Sequence, residues 1–157
     1  MKIIIIGGVA GGATTAARIR RVDETAEIVL LEKGKYISYA NCGLPYYIGG
    51  VIEERDKLFV QTPEAFSTRF RVDVRTENEV IFIDRKRKTV TVRQSSEDTY
   101  EESYDKLVIS TGASPVRPPL PGIDLSGIFT LRNVTDTDRI KEYIKNHAPR
   151  KAVVVGA

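Results

Sequence analysis

The chain of 157 residues holds one cysteine, Cys42, and its neighbours give that thiol chemical meaning. A single cysteine forms neither an intrachain disulfide nor a Cys-x-x-Cys pair. Most lone cysteines are small buried hydrophobes. Cys42, however, sits in Tyr36–Gly50, YISYANCGLPYYIGG, a segment rich in aromatic residues and glycine. A thiolate is the species that attacks a disulfide, and a helix amino terminus favours it. The residues after Cys42 read as a short helix through Tyr47, whose amino terminus would favour the thiolate.

A second constellation lies at the amino terminus. Gly7-Gly8-Val9-Ala10-Gly11-Gly12 occupies the place of a G-x-G-x-x-G turn between a strand and a helix. The first glycine permits a tight turn, and the last lets the helix approach the strand. The helix amino terminus then presents free N–H groups and a positive dipole end to a pyrophosphate. Val9 stands where the middle glycine is usual, and the glycines at 8 and 11 relieve the crowding. Ala16 is small where helix and strand should touch. Glu32 ends the second strand twenty residues after Gly12, the position of an acid that binds ribose hydroxyls.

Helical geometry adds a third set. At about 100° per residue, Gly12, Ala16 and Ile19 share one face, while Thr14, Arg18 and Arg21 fall roughly opposite. The small apolar face suits packing on a sheet, which leaves a hydroxyl and two arginines outside. Such a face is commonly just solvated, but guanidinium forks also suit phosphate.

These residues need a scaffold, and the pattern supplies one. Lys2–Ile6 is a continuous apolar run, as in a parallel strand covered on both faces. Gly11–Val22 reads as a helix and Glu27–Glu32 as the second strand. Thr62-Pro63 reads as an N-cap with proline at the first helical position, starting a helix to about Phe70. From Val72 to Tyr104 the period becomes two, and Val80, Phe82 and Thr89–Arg93 suggest short antiparallel strands joined by the charged turn Asp84–Lys88. Lys106–Ser110 returns to a buried parallel pattern and ends at Thr111-Gly112. Ser114–Gly122 holds four prolines and reads as an extended connection. Thr135–Asn146 reads as an amphipathic helix. The final residues, Lys151–Ala157 (KAVVVGA), resemble the opening KIIIIG and read as a strand entering a second glycine turn, cut at its first glycine. The predicted fold is therefore α/β, Rossmann-like, with a small antiparallel β excursion and the start of a second Rossmann unit. The expected divisions are 1–112 for the first nucleotide domain, 113–149 for a connection and helix, and 150–157 for the start of the next domain.

Composition narrows the classes. Hydrophobic content of 41% and charged content of 29% suit a globular domain. No apolar run approaches the roughly 20 residues of a membrane span, and no signal-peptide pattern opens the chain, so the cytoplasm is the expected location. A net charge of +3 without a long basic block argues against nucleic acid. No metal-ligand cluster or carboxylate pair stands out. His147, the sole histidine, reads as a capping or surface residue, and Tyr46 and Tyr47 as packing residues.

Three stretches together carry a family resemblance: GGVAGGATTAARIRR at 7–21, YISYANCGLPYYIGG at 36–50 and YDKLVISTGASP at 104–115. They resemble the single-cysteine group of FAD-dependent pyridine nucleotide-disulfide oxidoreductases, and within it most closely the coenzyme A-disulfide reductases, including forms fused to a rhodanese domain. The resemblance implies FAD in the first turn and NAD(P)H as co-substrate in the second unit. It places Gly7, Val9, Ala10, Gly11, Gly12, Glu32 and Lys33 on the ADP half of FAD, Val80 against adenine, and Thr111-Gly112 beside the cofactor. Cys42 becomes the redox cysteine near the flavin, and Thr14, Arg18, Arg21, Ser38 and Asn41 contact the coenzyme A disulfide. Arg69 and Arg71 are further candidates for its phosphates. The intact protein is expected to be a homodimer that binds no membrane. Two rival readings remain: an NADH oxidase or peroxidase cycling Cys42 through a sulfenic acid, and an FAD-binding fragment without turnover.

Overall fold

Successive isoleucines of the first strand face opposite ways, and that alternation organises the first part of the chain. In the computed structural model, which describes residues 1–156, β1 (Lys2–Ile6) sends Ile3 and Ile5 to one apolar cluster and Ile4 and Ile6 to another. β2 (Glu27–Glu32) does the same with Ile28 and Leu30 against Val29 and Leu31. Each such side chain, once buried, contributes about 1.5–3 kcal/mol of hydrophobic stabilisation. A strand buried on both faces therefore needs the unbroken apolar run seen in the sequence.

The parallel sheet has the order β3-β2-β1-β7, with β3 at Asp73–Thr76 and β7 at Lys106–Ile109. One face is covered by α1 (Ala10–Val22) and α3 (Pro63–Phe70), through Ala13, Ala16 and Phe66. The other is covered by the antiparallel sheet β4 (Asn78–Asp84), β5 (Thr89–Gln94) and β6 (Thr99–Ser103), through Val90 and Val92. The mixed α/β architecture expected from the sequence is thus present. One assignment changes: Asp73–Thr76 belongs to the parallel sheet and not to the antiparallel excursion. On this edge strand only Val74 packs into an apolar cluster, between polar Asp73 and Arg75, so the strand carries the two-residue period of an antiparallel one.

α3 starts as its sequence requires, with Thr62 Oγ1 accepting the Ala65 N–H at 3.2 Å and Pro63 in the first turn. Across the antiparallel sheet, charged groups join elements far apart in sequence. Glu102 on β6 accepts from Lys2 Nζ of β1 and, at 2.6 Å, from Arg75 Nη1 of β3. Arg75 also donates to Tyr100 Oη and to Asp73. Burial pushes the Glu102 carboxyl up, but the hydrogen bonds from Lys2 and Arg75 outweigh it and leave it below its usual value. A depressed folded-state value means stability present above the ordinary carboxylate range and lost as pH falls through the folded one. Glu102→Gln is expected to lower stability at pH 7 by about 1–2 kcal/mol, a difference that shrinks as pH falls below the ordinary carboxylate range and through the lowered folded value. Thermal melts of the two proteins across that pH range check it.

The chain divides into two compact units, one of residues 1–40 and 59–112, the other of 41–58 and 113 onward. In the second, residues 41–43 form a 3-10 turn, followed by α2 (Leu44–Ile48) and a further 3-10 turn, Arg55–Leu58. α4 (Val134–His147) carries a full capping box: Asp136 N–H donates to the Asn133 side chain, and the Asp136 carboxylate accepts from the Asn133 N–H. The proline-rich residues 114–120 have no regular structure. The strand expected from Lys151 is not formed, and Val153, Val154 and Val155 are exposed. An isolated strand has no ladder for its backbone groups. Ala157, the last residue of that expected strand-and-turn, lies outside the described residues. No helix among the described residues is long and apolar enough to cross a membrane, and they contain no group of three metal-ligating side chains.

Candidate functional site

The glycine turn is built by close approach of backbone to backbone. Gly7 has φ +99°, in the region open to glycine, and its N–H donates to Leu31 O at 2.8 Å. Gly12 lies so near that any Cβ there would overlap the Gly7 carbonyl oxygen. This contact draws the first turn of α1 onto the end of β1. Val9 caps α1 without a capping side chain, and the first turn contains no acid. The first N–H groups of a 13-residue helix are therefore left for an external anion. Thr15 bonds back to Gly11 O within the helix.

Glu32 closes the other side. Its side chain is buried at the tip of β2, where Oε2 accepts the Gly8 N–H and Oε1 the Gly34 N–H, both at 2.7 Å. A buried carboxylate is tolerable only with such partners. Beside it a cleft is lined by Gly7, Glu32, Lys33, Val80 and Thr111, five of the residues expected to hold a nucleotide. Val9, Ala10, Gly11 and Gly12 belong to the helix entrance instead, and Gly112 follows Thr111 with φ +68°.

The cleft also contains Asn78 and Glu79, which sequence reasoning missed. Asn78 is buried, donates to Thr76 O at 2.8 Å and accepts from Tyr100 Oη at 2.8 Å. Its signal was available: it lies two residues before Val80 on the same strand, so both point to the same face.

The expected substrate residues divide. Thr14, Arg18 and Arg21 are exposed on α1, opposite buried Gly12, Ala13 and Ala16, as the helical geometry requires. Ser38 adopts φ +47° while its N–H donates to Gly8 O at 2.9 Å and its carbonyl accepts from Val60 at 2.8 Å. That tie holds the loop after β2 against the glycine turn. Arg69 and Arg71 are exposed at the end of α3. Asn41 and Cys42 belong to the other unit, on the 3-10 turn leading into α2. The helix expected after the cysteine is real but short, five residues. Cys42 is exposed, unlike an ordinary core cysteine. Asn41 Oδ1 is buried and has no hydrogen-bond partner among the described residues. Tyr46 is exposed and not packed, whereas Tyr47 lies under Lys141. His147 is the exposed last residue of α4, stacked on Tyr143.

A parallel sheet whose first strand turns through glycines into an uncapped helix, with an acid ending the second strand, defines a Rossmann-type dinucleotide-binding fold. Comparison with known proteins then places it. Residues 1–157 match the family described as pyridine nucleotide-disulphide oxidoreductase, and the chain belongs to that family. It is 49% identical over 158 residues to the coenzyme A disulfide reductase of Staphylococcus haemolyticus, a match covering 99% of this chain and 35% of that protein. The structure of reduced Bacillus anthracis CoADR-RHD superposes with a TM-score of 0.92 at 56% identity, covering 95% of this chain and 27% of that one. An NAD-dependent persulfide reductase from A. fulgidus gives 0.88 at 41% identity, covering 94% and 28%. The chain thus spans about a third of the length of the curated relatives it matches.

Proposed function

We propose that this chain forms the flavin-binding and thiol-bearing part of an NAD(P)H-dependent reductase acting on coenzyme A disulfide or a related CoA persulfide. The reading rests chiefly on Cys42, an exposed thiol on the turn before α2, in a chain matched over 99% of its length by coenzyme A disulfide reductases. The glycine turn, the uncapped α1 and the Glu32 carboxylate fit a dinucleotide, with Gly7, Val9, Ala10, Gly11 and Gly12 at its phosphates and Glu32, Lys33, Val80, Thr111 and Gly112 along its remainder. FAD, when bound there, supplies two-electron transfer from NAD(P)H. Cys42 as thiolate attacks one sulfur of the disulfide, forming a Cys42–S–S–CoA bond and expelling the other half as thiolate. Two electrons then cleave that bond, restoring the Cys42 thiolate and releasing the second CoA thiolate. One protein thiol suffices because the substrate provides the other sulfur. On this reading residues 1–112 hold FAD, 113–149 connect, 150–157 open the NAD(P)H unit, and the intact protein is a cytoplasmic homodimer.

The test is NADH and NADPH turnover by the flavin-loaded full-length protein on CoA disulfide, CoA persulfide, oxygen and peroxide. Preference for oxygen or peroxide would replace the reductase reading with the oxidase one. Arg18 and Arg21, with Thr14, Ser38 and Asn41, are assigned to the substrate. Loss of one charge-assisted phosphate contact costs about 1.5–3 kcal/mol, or roughly 10- to 150-fold in affinity. Arg18→Ala and Arg21→Ala are therefore expected to raise the Michaelis constant for CoA disulfide and leave that for a phosphate-free disulfide unchanged. Equal weakening of both substrates would assign the arginines to the fold.

A further inference from the structure

The helix that follows Cys42 is held locally only at its exit, where Gly49 N–H donates to Pro45 O and Val51 and Ile52 N–H donate to Tyr46 O. α2 has five residues, no capping side chain at Gly43, no acid in its first turn and a Gly49-Gly50 exit. Helices this short are unstable in isolation, because nucleation costs more than one turn of hydrogen bonds returns. Something outside must fix the backbone that carries the thiol.

Within the same unit, α4 meets this requirement through two charged residues one turn apart. Lys141 Nζ donates at 2.9 Å to Tyr47 O, which also accepts the Gly50 N–H at 3.3 Å, and lies 3.9 Å from the centre of the Tyr47 ring. Asp138 accepts from Arg55 Nε at 2.9 Å and Nη2 at 2.7 Å, a two-pronged pair on the 3-10 turn that ends the segment. Bidentate guanidinium–carboxylate geometry fixes orientation as well as distance. α4 itself is 14 residues long and fully capped, so it is the rigid partner. Nothing in the arrangement requires these residues to touch a substrate.

We infer that Lys141 and Asp138 are positioning residues for Cys42: they lock residues 41–58 onto α4 and so fix the attacking sulfur. The inference rests on the redox reading of Cys42, since a fixed backbone matters to turnover only if that sulfur reacts. Lys141 is the sharper probe, because arginine preserves both its charge and its stacking on Tyr47.

The experiment compares Lys141→Met, Lys141→Arg and Asp138→Asn in the flavin-loaded full-length protein. Amide hydrogen exchange of residues 43–50 is read beside steady-state kinetics. Lys141→Met is expected to speed exchange in that segment and lower kcat roughly tenfold, the equivalent of one lost charge-assisted bond. KM for the disulfide stays unchanged and Lys141→Arg restores both readouts. Asp138→Asn, which keeps one hydrogen bond, lies between. Unchanged exchange in Lys141→Met would overturn the clamp. Faster exchange with unaltered kcat would overturn its role at Cys42. Full activity of Cys42→Ser would instead remove the redox reading, while the exchange data would still report whether α4 holds the segment.

Discussion

Cys42→Ser in the full-length protein loses disulfide reduction by on the order of 10³-fold or more, while its flavin content stays at the parent level. Both halves of that expectation come from position. The hydroxyl is slightly shorter than the thiol but occupies the same place, and its anion is inaccessible at neutral pH and forms no bond to sulfur that NAD(P)H can later cleave. Cys42 sits on the turn before α2, in a different compact unit from the glycine turn and Glu32, so its replacement leaves the nucleotide cradle intact. The mutation is also gentle on the fold, since an exposed side chain loses one atom type and no packing. Stopped mixing with excess CoA disulfide adds a direct check. The parent protein is expected to retain one coenzyme A in covalent linkage, released by dithiothreitol, and the serine variant none. Turnover at the parent rate in the serine variant would end the assignment.

Much of the candidate site's geometry is legible in the sequence, because its parts are local. The turn at 7–12 is six contiguous residues, and Glu32 lies one strand and one helix away, a spacing set by the βαβ unit itself. The faces of α1 follow from angular arithmetic, so exposed Thr14, Arg18 and Arg21 opposite buried Ala16 required no tertiary information. What escaped depends on pairing across long separations. Strand direction is not encoded in a two-residue period, and so Asp73–Thr76 read as part of the antiparallel sheet. The Glu102 junction joins residues 100 positions apart, and Lys141 reaches a carbonyl 94 positions away. Neither has a local signature, because an ordinary lysine on an amphipathic helix looks the same whether it is solvated or gripping a partner. Asn78 and Glu79 fall between: their strand was visible, but the cleft it borders exists only once β1 and β2 are laid beside it.

Gly12→Ala has the second large effect, and it separates backbone from side-chain obstruction. A methyl group at residue 12 would enter the space of the Gly7 carbonyl oxygen, and it would also press on Ile5 Cγ2 at 3.2 Å. The carbonyl cannot rotate away freely, because it shares a peptide plane with the Gly8 N–H, which the buried Glu32 carboxylate holds at 2.7 Å. α1 must therefore lift from β1, opening the apolar cluster around Ala13 and Ala16 and moving the helix entrance from the place proposed for the dinucleotide phosphates. Overpacking of this kind costs about 3 kcal/mol or more, against an alanine helix-propensity gain of about 1 kcal/mol. Flavin content and melting temperature of the full-length protein are both expected to fall sharply. Gly11→Ala supplies the contrast, since its new methyl meets the Ser110 side chain and not backbone. Adding Ser110→Ala is expected to rescue Gly11→Ala largely, while Gly12→Ala paired with Ser110→Ala stays as damaged as Gly12→Ala alone. Comparable rescue in both pairs would mean that α1 yields more readily than the packing of Gly12 on Gly7 indicates, and that the glycine is dispensable to the cradle.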